Sequence, residues 1–149
     1  MLADLPARQL DAKLRAWRAI TQPRPNGGWL RAIRRALGMT TRQLAKSVGV
    51  TQAAVVDAER TEARGDITLT TLQRYAAALG CEVHYALVPK RPLQEMIDER
   101  AEKVAREQVE RVRHSMALEA QTTDPALTKR GTAELKAKLL AGRLSRLWR

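Results

Sequence analysis

The side chains that could do bond chemistry are few in this sequence. There are two histidines, His84 and His114, and one cysteine, Cys81. That set cannot assemble a zinc site from the usual soft ligands. No nucleophile stands with a base, and no glycine-rich phosphate loop occurs, so neither an enzyme nor a cofactor is expected. The informative spacing lies in residues 40–59. Leu44, Ala45, Val48, Val50, Val55 and Ala58 would line the inner face of two short helices meeting at an angle. Gly49 stands where the first helix must stop and can supply a left-handed cap without steric cost. Thr40 and Thr51 each precede a helix, where a hydroxyl can accept from free backbone N–H groups. A helix, a tight turn and a second helix in this order form the helix-turn-helix pattern of DNA binding.

Charge agrees with a polyanionic partner. The chain of 149 residues carries a net +11, unevenly spread. Residues 93–124 are net acidic, whereas residues 125–149 hold seven basic side chains and one acidic one. Lys and Arg favour nucleic acid because neutralising phosphates releases counterions. Phenylalanine is absent, so the core must come from Leu, Val, Ala and Ile, with Trp17, Trp29 and Trp148 as anchors. A single cysteine rules out an intramolecular disulfide and fits a reducing compartment. No apolar run approaches membrane-spanning length and no signal-peptide core is present, so a cytoplasmic protein without a membrane partner is expected.

The elements that would position the motif follow from periodicity. Residues 1–28 read as an amphipathic helix with Leu10, Leu14 and Trp17 on one side, then a linker, Gln22–Gly28, with two prolines and an Asn-Gly-Gly turn. Residues 29–80 read as a helical domain around the motif, with a polar loop at 61–66 and a last helix ending at Gly80. Residues 81–90 change period. Cys81–Val88 alternates, with Val83, His84, Tyr85 and Leu87 among its members, and stops at Pro89, which predicts a strand. One strand cannot satisfy its own backbone groups. The economical partner is the same strand of a second copy, paired about a two-fold axis. Residues 91–121 predict a long helix over 93–119, and residues 122–149 a basic helical tail over about 132–147. The expected fold is thus mainly α: a helix-turn-helix bundle, one strand for an intermolecular two-stranded sheet, and a long C-terminal helix.

Gly38, Leu44-Ala45, Gly49-Val50-Thr51-Gln52, Val55 and Glu59 resemble the phage-repressor (XRE) type of helix-turn-helix domain across residues 29–80. The resemblance implies that the helix opening at Thr51 enters the major groove. Gln52, Ala53, Val56 and Asp57 would then face base edges. Gln52 suits adenine and Ala53 a thymine methyl group, while Asp57 would either accept from cytosine or repel phosphates. Thr41, Arg42, Lys46, Thr51 and Arg60 are the phosphate candidates. Arg34 and Glu59 match an interior ion pair of such repressors. The strand after the domain resembles antitoxins that dimerise through a two-stranded sheet, which implies a palindromic operator on double-stranded DNA.

His114-Ser115-Met116-Ala117-Leu118-Glu119-Ala120-Gln121 resembles the inhibitory helix that regulates Fic-domain AMP-transferases. Ser115 and Glu119 fit that pattern, and Ala120 departs from its final Gly or Asn. The likeness implies that Glu119 would pair with the ATP-binding arginine of a Fic partner and that Ser115 would dock the helix. More broadly, Gly28-Trp29 through Met39, Ile67-Thr68-Leu69 with Leu72, Cys81 through Lys90, and Ser115 through Glu119 resemble the family called mobile mystery protein A, helix-turn-helix proteins found with a Fic-domain partner. That likeness implies an antitoxin: a dimeric autorepressor that also inhibits a Fic-domain toxin. The alternative is a plain dimeric regulator without a toxin partner. The basic tail could clamp a partner, touch DNA, lie on a membrane surface or be disordered, with clamping or disorder the favoured readings.

Overall fold

The computed structural model describes residues 4–118 and 124–149, and among them the fold is helical. Contacts divide the chain into two compact units, one of Met1–Ile20 with Leu87–Arg149 and the other of Thr21–Ala86.

The second of these contains α2 (Trp29–Ala36), α3 (Thr41–Val48), α4 (Gln52–Arg64) and α5 (Leu69–Ala78). Leu44 and Val55 are completely buried at its centre, with Leu30, Ala45, Ala58, Tyr75 and Leu79 around them. Three threonines start three helices. Thr40 Oγ1 accepts from Gln43 N at 3.1 Å, Thr51 Oγ1 from Ala54 N at 3.1 Å and Thr68 Oγ1 from Thr71 N at 3.2 Å. The Gln43 side chain also accepts from Thr40 N at 2.8 Å, which completes a capping box. Gly49 ends α3 at φ 79°, the left-handed turn that lets α4 leave at an angle. Helix α4 runs to Arg64, so most of the expected loop at 61–66 is helical.

That extra turn of α4 carries Glu62, which is 3% exposed. Its carboxylate accepts from Leu30 N at 3.4 Å and so faces the open N-terminus of α2. Gly28 precedes α2 at φ 86°, and a Cβ there would lie 1.8 Å from Glu62 Oε2. Both the backbone angle and the space therefore require glycine at this position. The preceding linker is fastened too. Arg24 donates to the carbonyls of Glu62 and Ala63, both at 2.7 Å, and closes the end of α4.

The other unit joins α1 (Asp4–Arg18), α6 (Leu93–Leu118), α7 (Pro125–Ala141) and a terminal 3₁₀ segment (Leu144–Trp148). Ala101 and Ala105 of α6 are completely buried, and α6 packs against α7 and α1. Helix α7 starts earlier than the periodicity suggested. Asp124 caps it by accepting from Ala126 N at 2.9 Å, and Pro125 occupies its first turn. Gly142 ends it, and the chain tightens into the 3₁₀ segment instead of continuing as one helix to 147.

No strand is assigned among the described residues. The expected strand at 81–90 is a non-helical segment, with Val83 half-buried and His84, Tyr85 and Leu87 exposed. A strand is defined by a ladder with a neighbour, and a single copy of this chain supplies none.

Asp11 of α1 caps α6. It accepts from Leu93 N at 2.8 Å and Gln94 N at 3.3 Å, and Arg18 holds it at 3.0 Å. The Leu93 N–H, chiefly, keeps the Asp11 carboxyl below its ordinary value of 3.8, with Gln94 and Arg18 adding to it and partial desolvation opposing. A depressed native pKa means that the stabilisation is complete above 3.8 and is lost as pH falls through the lower native value. Urea unfolding of Asp11→Asn, measured from pH 6 downward, should therefore show a shallower acid-side loss of stability than the parent chain.

Candidate nucleic-acid interface

The two helices of the motif leave one face uncovered. Gln52, Ala53, Val56, Asp57 and Arg60 of α4 are all exposed, on the side opposite Val55, Ala58, Glu59 and Glu62. Gln52 Nε2 donates to Thr41 Oγ1 at 2.8 Å, so the first residues of α3 and α4 are tied together. An amide nitrogen carries two hydrogens. Gln52 can keep this bond and still offer its second N–H with its carbonyl oxygen to an adenine edge.

Val56 is 52% exposed and, with Ala53, makes an apolar step in the middle of the face. Asp57 and Arg60 lie one turn apart and form an ion pair at 2.5 Å. Both are well exposed, so the pair adds little to stability. Its effect is local: the cation offsets the carboxylate that would otherwise repel phosphates. Arg42 and Lys46, exposed on α3, make no ion pair among the described residues, and neither does the exposed Arg31 of α2. A shallow groove lined by Arg31, Thr41, Val56 and Arg60 connects the start of α3 to the outer side of α4.

Beneath this face lies the only buried fork among the described ion pairs. Arg34 Nε donates to Glu59 Oε1 at 2.5 Å and Nη2 to Oε2 at 3.0 Å. Both residues are more than nine-tenths buried. The Glu59 hydrogen bond, more than its charge alone, pushes the Arg34 pKa up, against the cost of burial. Arg34 Nη1 also donates to the Met39 carbonyl at 2.9 Å, just before α3. One guanidinium thus joins α2, α4 and the entry to α3. Tyr75 of α5 reaches in from the far side and donates to the Ala54 carbonyl at 3.2 Å. Burial raises its phenol pKa, so the hydroxyl stays a donor.

Residues 30–85 match a family model described as Helix-turn-helix. They are an XRE-type helix-turn-helix domain. No curated protein and no solved structure matches the chain significantly. The domain match stops short of α6, α7 and the 3₁₀ segment.

The other residues that the sequence singles out lie apart from this face. Ser115 is exposed on the last turn of α6 and donates to the Arg111 carbonyl at 3.2 Å. Glu119, Ala120 and Gln121 lie outside the described residues. His84 Nε2 is 3.3 Å from Glu82 Oε2, both exposed, in the non-helical 81–89 segment. No group of three or more His, Cys, Asp or Glu among the described residues is placed to hold a metal ion. No described helix is long and apolar enough to cross a membrane.

Sequence reasoning missed Arg24, Glu62 and Tyr75 as parts of the frame. Glu62 was legible in principle: it continues the inward stripe Val55, Ala58, Glu59 by the next helical step. Arg24 had no signal, since its bonds cross 38 and 39 residues.

Removing one partner of the fork leaves a buried charge alone. Arg34→Ala and Glu59→Ala should each cost about 3–5 kcal/mol in chemical denaturation. The double substitution should cost clearly less than the sum of the two, because the second change removes the orphan left by the first.

Proposed function

We propose that the chain is a dimeric operator-binding repressor whose reading helix is α4, and that it also restrains a Fic-domain partner through the end of α6. The observation that carries the first part is the exposed face Gln52, Ala53, Val56 and Asp57 on a helix locked from behind by Arg34 and Glu59. Arg42, Lys46, Arg60 and the hydroxyls of Thr41 and Thr51 flank that face as phosphate ligands. The 81–90 segment suits pairing with its copy, because Tyr85 and Leu87 are exposed and its backbone has no ladder of its own. Two reading helices would then address a palindrome.

Gln52→Ala should weaken operator binding by about 1–3 kcal/mol at fixed salt, with the loss confined to one base pair per half-site. Gel-shift titration against a set of single-base operator variants measures this. An unchanged affinity and base preference would remove α4 from the reading role.

The second part is supported by the last two turns of α6. Every residue from Arg111 to Leu118 is exposed, including Ser115, Val112 and Met116, so this helix end is free to enter a partner. Glu119, next in sequence, would meet the partner's ATP-binding arginine as a carboxylate fork. Cells co-expressing the Fic partner should survive with the parent chain and stop growing with Glu119→Gly. Equal protection by both would rule out the Glu119 mechanism, and no protection by the parent chain would leave a plain dimeric regulator.

A further inference from the structure

The positive charge of this chain is distributed differently on α6 and on the segment after it. On α6, three of the five cations meet acids: Lys103 pairs with Glu107 at 4.0 Å, Arg106 with Glu102 at 3.6 Å and Arg113 with Glu110 at 2.8 Å, whereas Arg100 and Arg111 make no ion pair among the described residues. Among the seven cations from Pro125 to Arg149, Lys136 meets an acid, Glu102 at 3.3 Å. Lys129, Arg130, Lys138, Arg143, Arg146 and Arg149 are exposed and make no ion pair among the described residues. Three of them have a regular spacing. A 3₁₀ helix turns once in three residues, so side chains three apart stack in line. Arg146 lies within the segment, Arg143 is the residue that caps its start and Arg149 the one that caps its end, so the three recur at a three-residue spacing. Leu144 and Leu147 are also three apart, and Leu147 is completely buried. Trp148 stands exposed, with the Arg100 guanidinium 5.8 Å from its ring centre.

We propose that Arg143, Arg146 and Arg149 form a second, sequence-independent contact with the phosphate backbone of double-stranded DNA. It rests on the DNA-binding reading of α4 and extends it to the other unit. Of the anionic surfaces available, the observations favour the DNA backbone over a lipid bilayer. An interfacial helix needs an apolar face free to enter the acyl boundary. Here Leu147 is buried within the fold and Leu144 is half-buried, so Trp148 is the one large apolar group the segment turns outward. Three exposed, unpaired arginines at a three-residue spacing suit a row of backbone phosphates, to which the guanidinium fork binds through two hydrogen bonds.

The test uses the full chain and its triple variant Arg143→Gln/Arg146→Gln/Arg149→Gln, checked for unchanged helix content by circular dichroism. Binding to an operator duplex and to a scrambled duplex is followed by fluorescence anisotropy across a salt series. Each lost phosphate contact lowers the slope of log K against log salt by about 0.9, so the variant's slope should fall by up to about 2.7. Over a fourfold rise in salt the parent chain would then lose up to about forty times more affinity than the variant. The ratio of operator to scrambled affinity should stay the same. An unchanged slope in the triple variant, with Arg42→Gln/Lys46→Gln lowering it, would overturn the tail contact and leave α4 as reader. Loss of binding to phosphatidylserine vesicles with the DNA slope intact would also overturn it, in favour of a membrane surface. A parent chain that binds neither duplex would overturn the reading of α4 and the tail contact with it.

Discussion

Arg34 and Glu59 are charges in a place that would reject either of them alone. Desolvation of one buried ion costs several kcal/mol, and only a well-aligned counter-ion with its remaining hydrogen bonds filled offsets it. The pair meets both conditions: two parallel bonds to the carboxylate and a third from Arg34 to the Met39 carbonyl. This requirement sets geometry more than stability. The guanidinium plane admits one approach of α4 to α2, and the Met39 bond fixes where α3 starts. Gln52 and Thr41, the first residues of the two motif helices, meet at 2.8 Å as a result of that arrangement.

The same helix carries a second carboxylate one turn on, with a different task. Glu62 faces backbone N–H rather than a cation, and it does so because Gly28 leaves the room. Arg24 then covers the carbonyls at the end of α4. Helix α4 is thus held at its middle by Arg34, at its end by Arg24 and Leu30, and near its start by Thr51 and Tyr75. Every restraint acts from the inner side or the ends. The outward residues are left without structural duties, apart from the Gln52–Thr41 bond and the exposed Asp57–Arg60 pair.

Local signals made the motif readable. Threonine caps, the Gly49 stop and the inward stripe of small aliphatic residues act over three or four positions, which sequence periodicity captures. Arg34 and Glu59 needed the resemblance to repressors, because a pair 25 residues apart leaves no periodic trace. Contacts that cross long stretches of chain stayed hidden. Asp11 capping α6 spans 82 residues, so nothing near Asp11 announced that α1 packs in the unit that begins again at Leu87. The 3₁₀ end was hidden for another reason: leucines at 144 and 147 fit a 3.6-residue helix as well as a 3-residue one, and Gly142 decides between them. The alternation at 81–88 suggests a strand, and the structure shows a non-helical segment there instead, because alternation alone does not supply the neighbouring strand that a ladder needs.

The composition of the α4 face also limits what one copy can achieve. Specific sites are bound typically about 4–10 kcal/mol more tightly than random DNA. A good bidentate amide contact contributes about 1–3 kcal/mol of that, and Gln52 is the one side chain on this face able to make it. Ala53 and Val56 offer apolar contact with thymine methyls. Asp57 is engaged with Arg60, so any contact with cytosine competes with a cation at 2.5 Å. Such a face discriminates at few base pairs and falls short of a full operator's requirement. Doubling the reader about a two-fold axis raises the specific part, because each copy reads its own half-site. Adding arginines that touch only phosphates raises the non-specific part and lengthens residence near the site without altering discrimination. In the proposed arrangement, pairing of the 81–90 segment would answer the first deficit of this helix, its selectivity, and the unpaired Arg143, Arg146 and Arg149 would answer the second, its affinity.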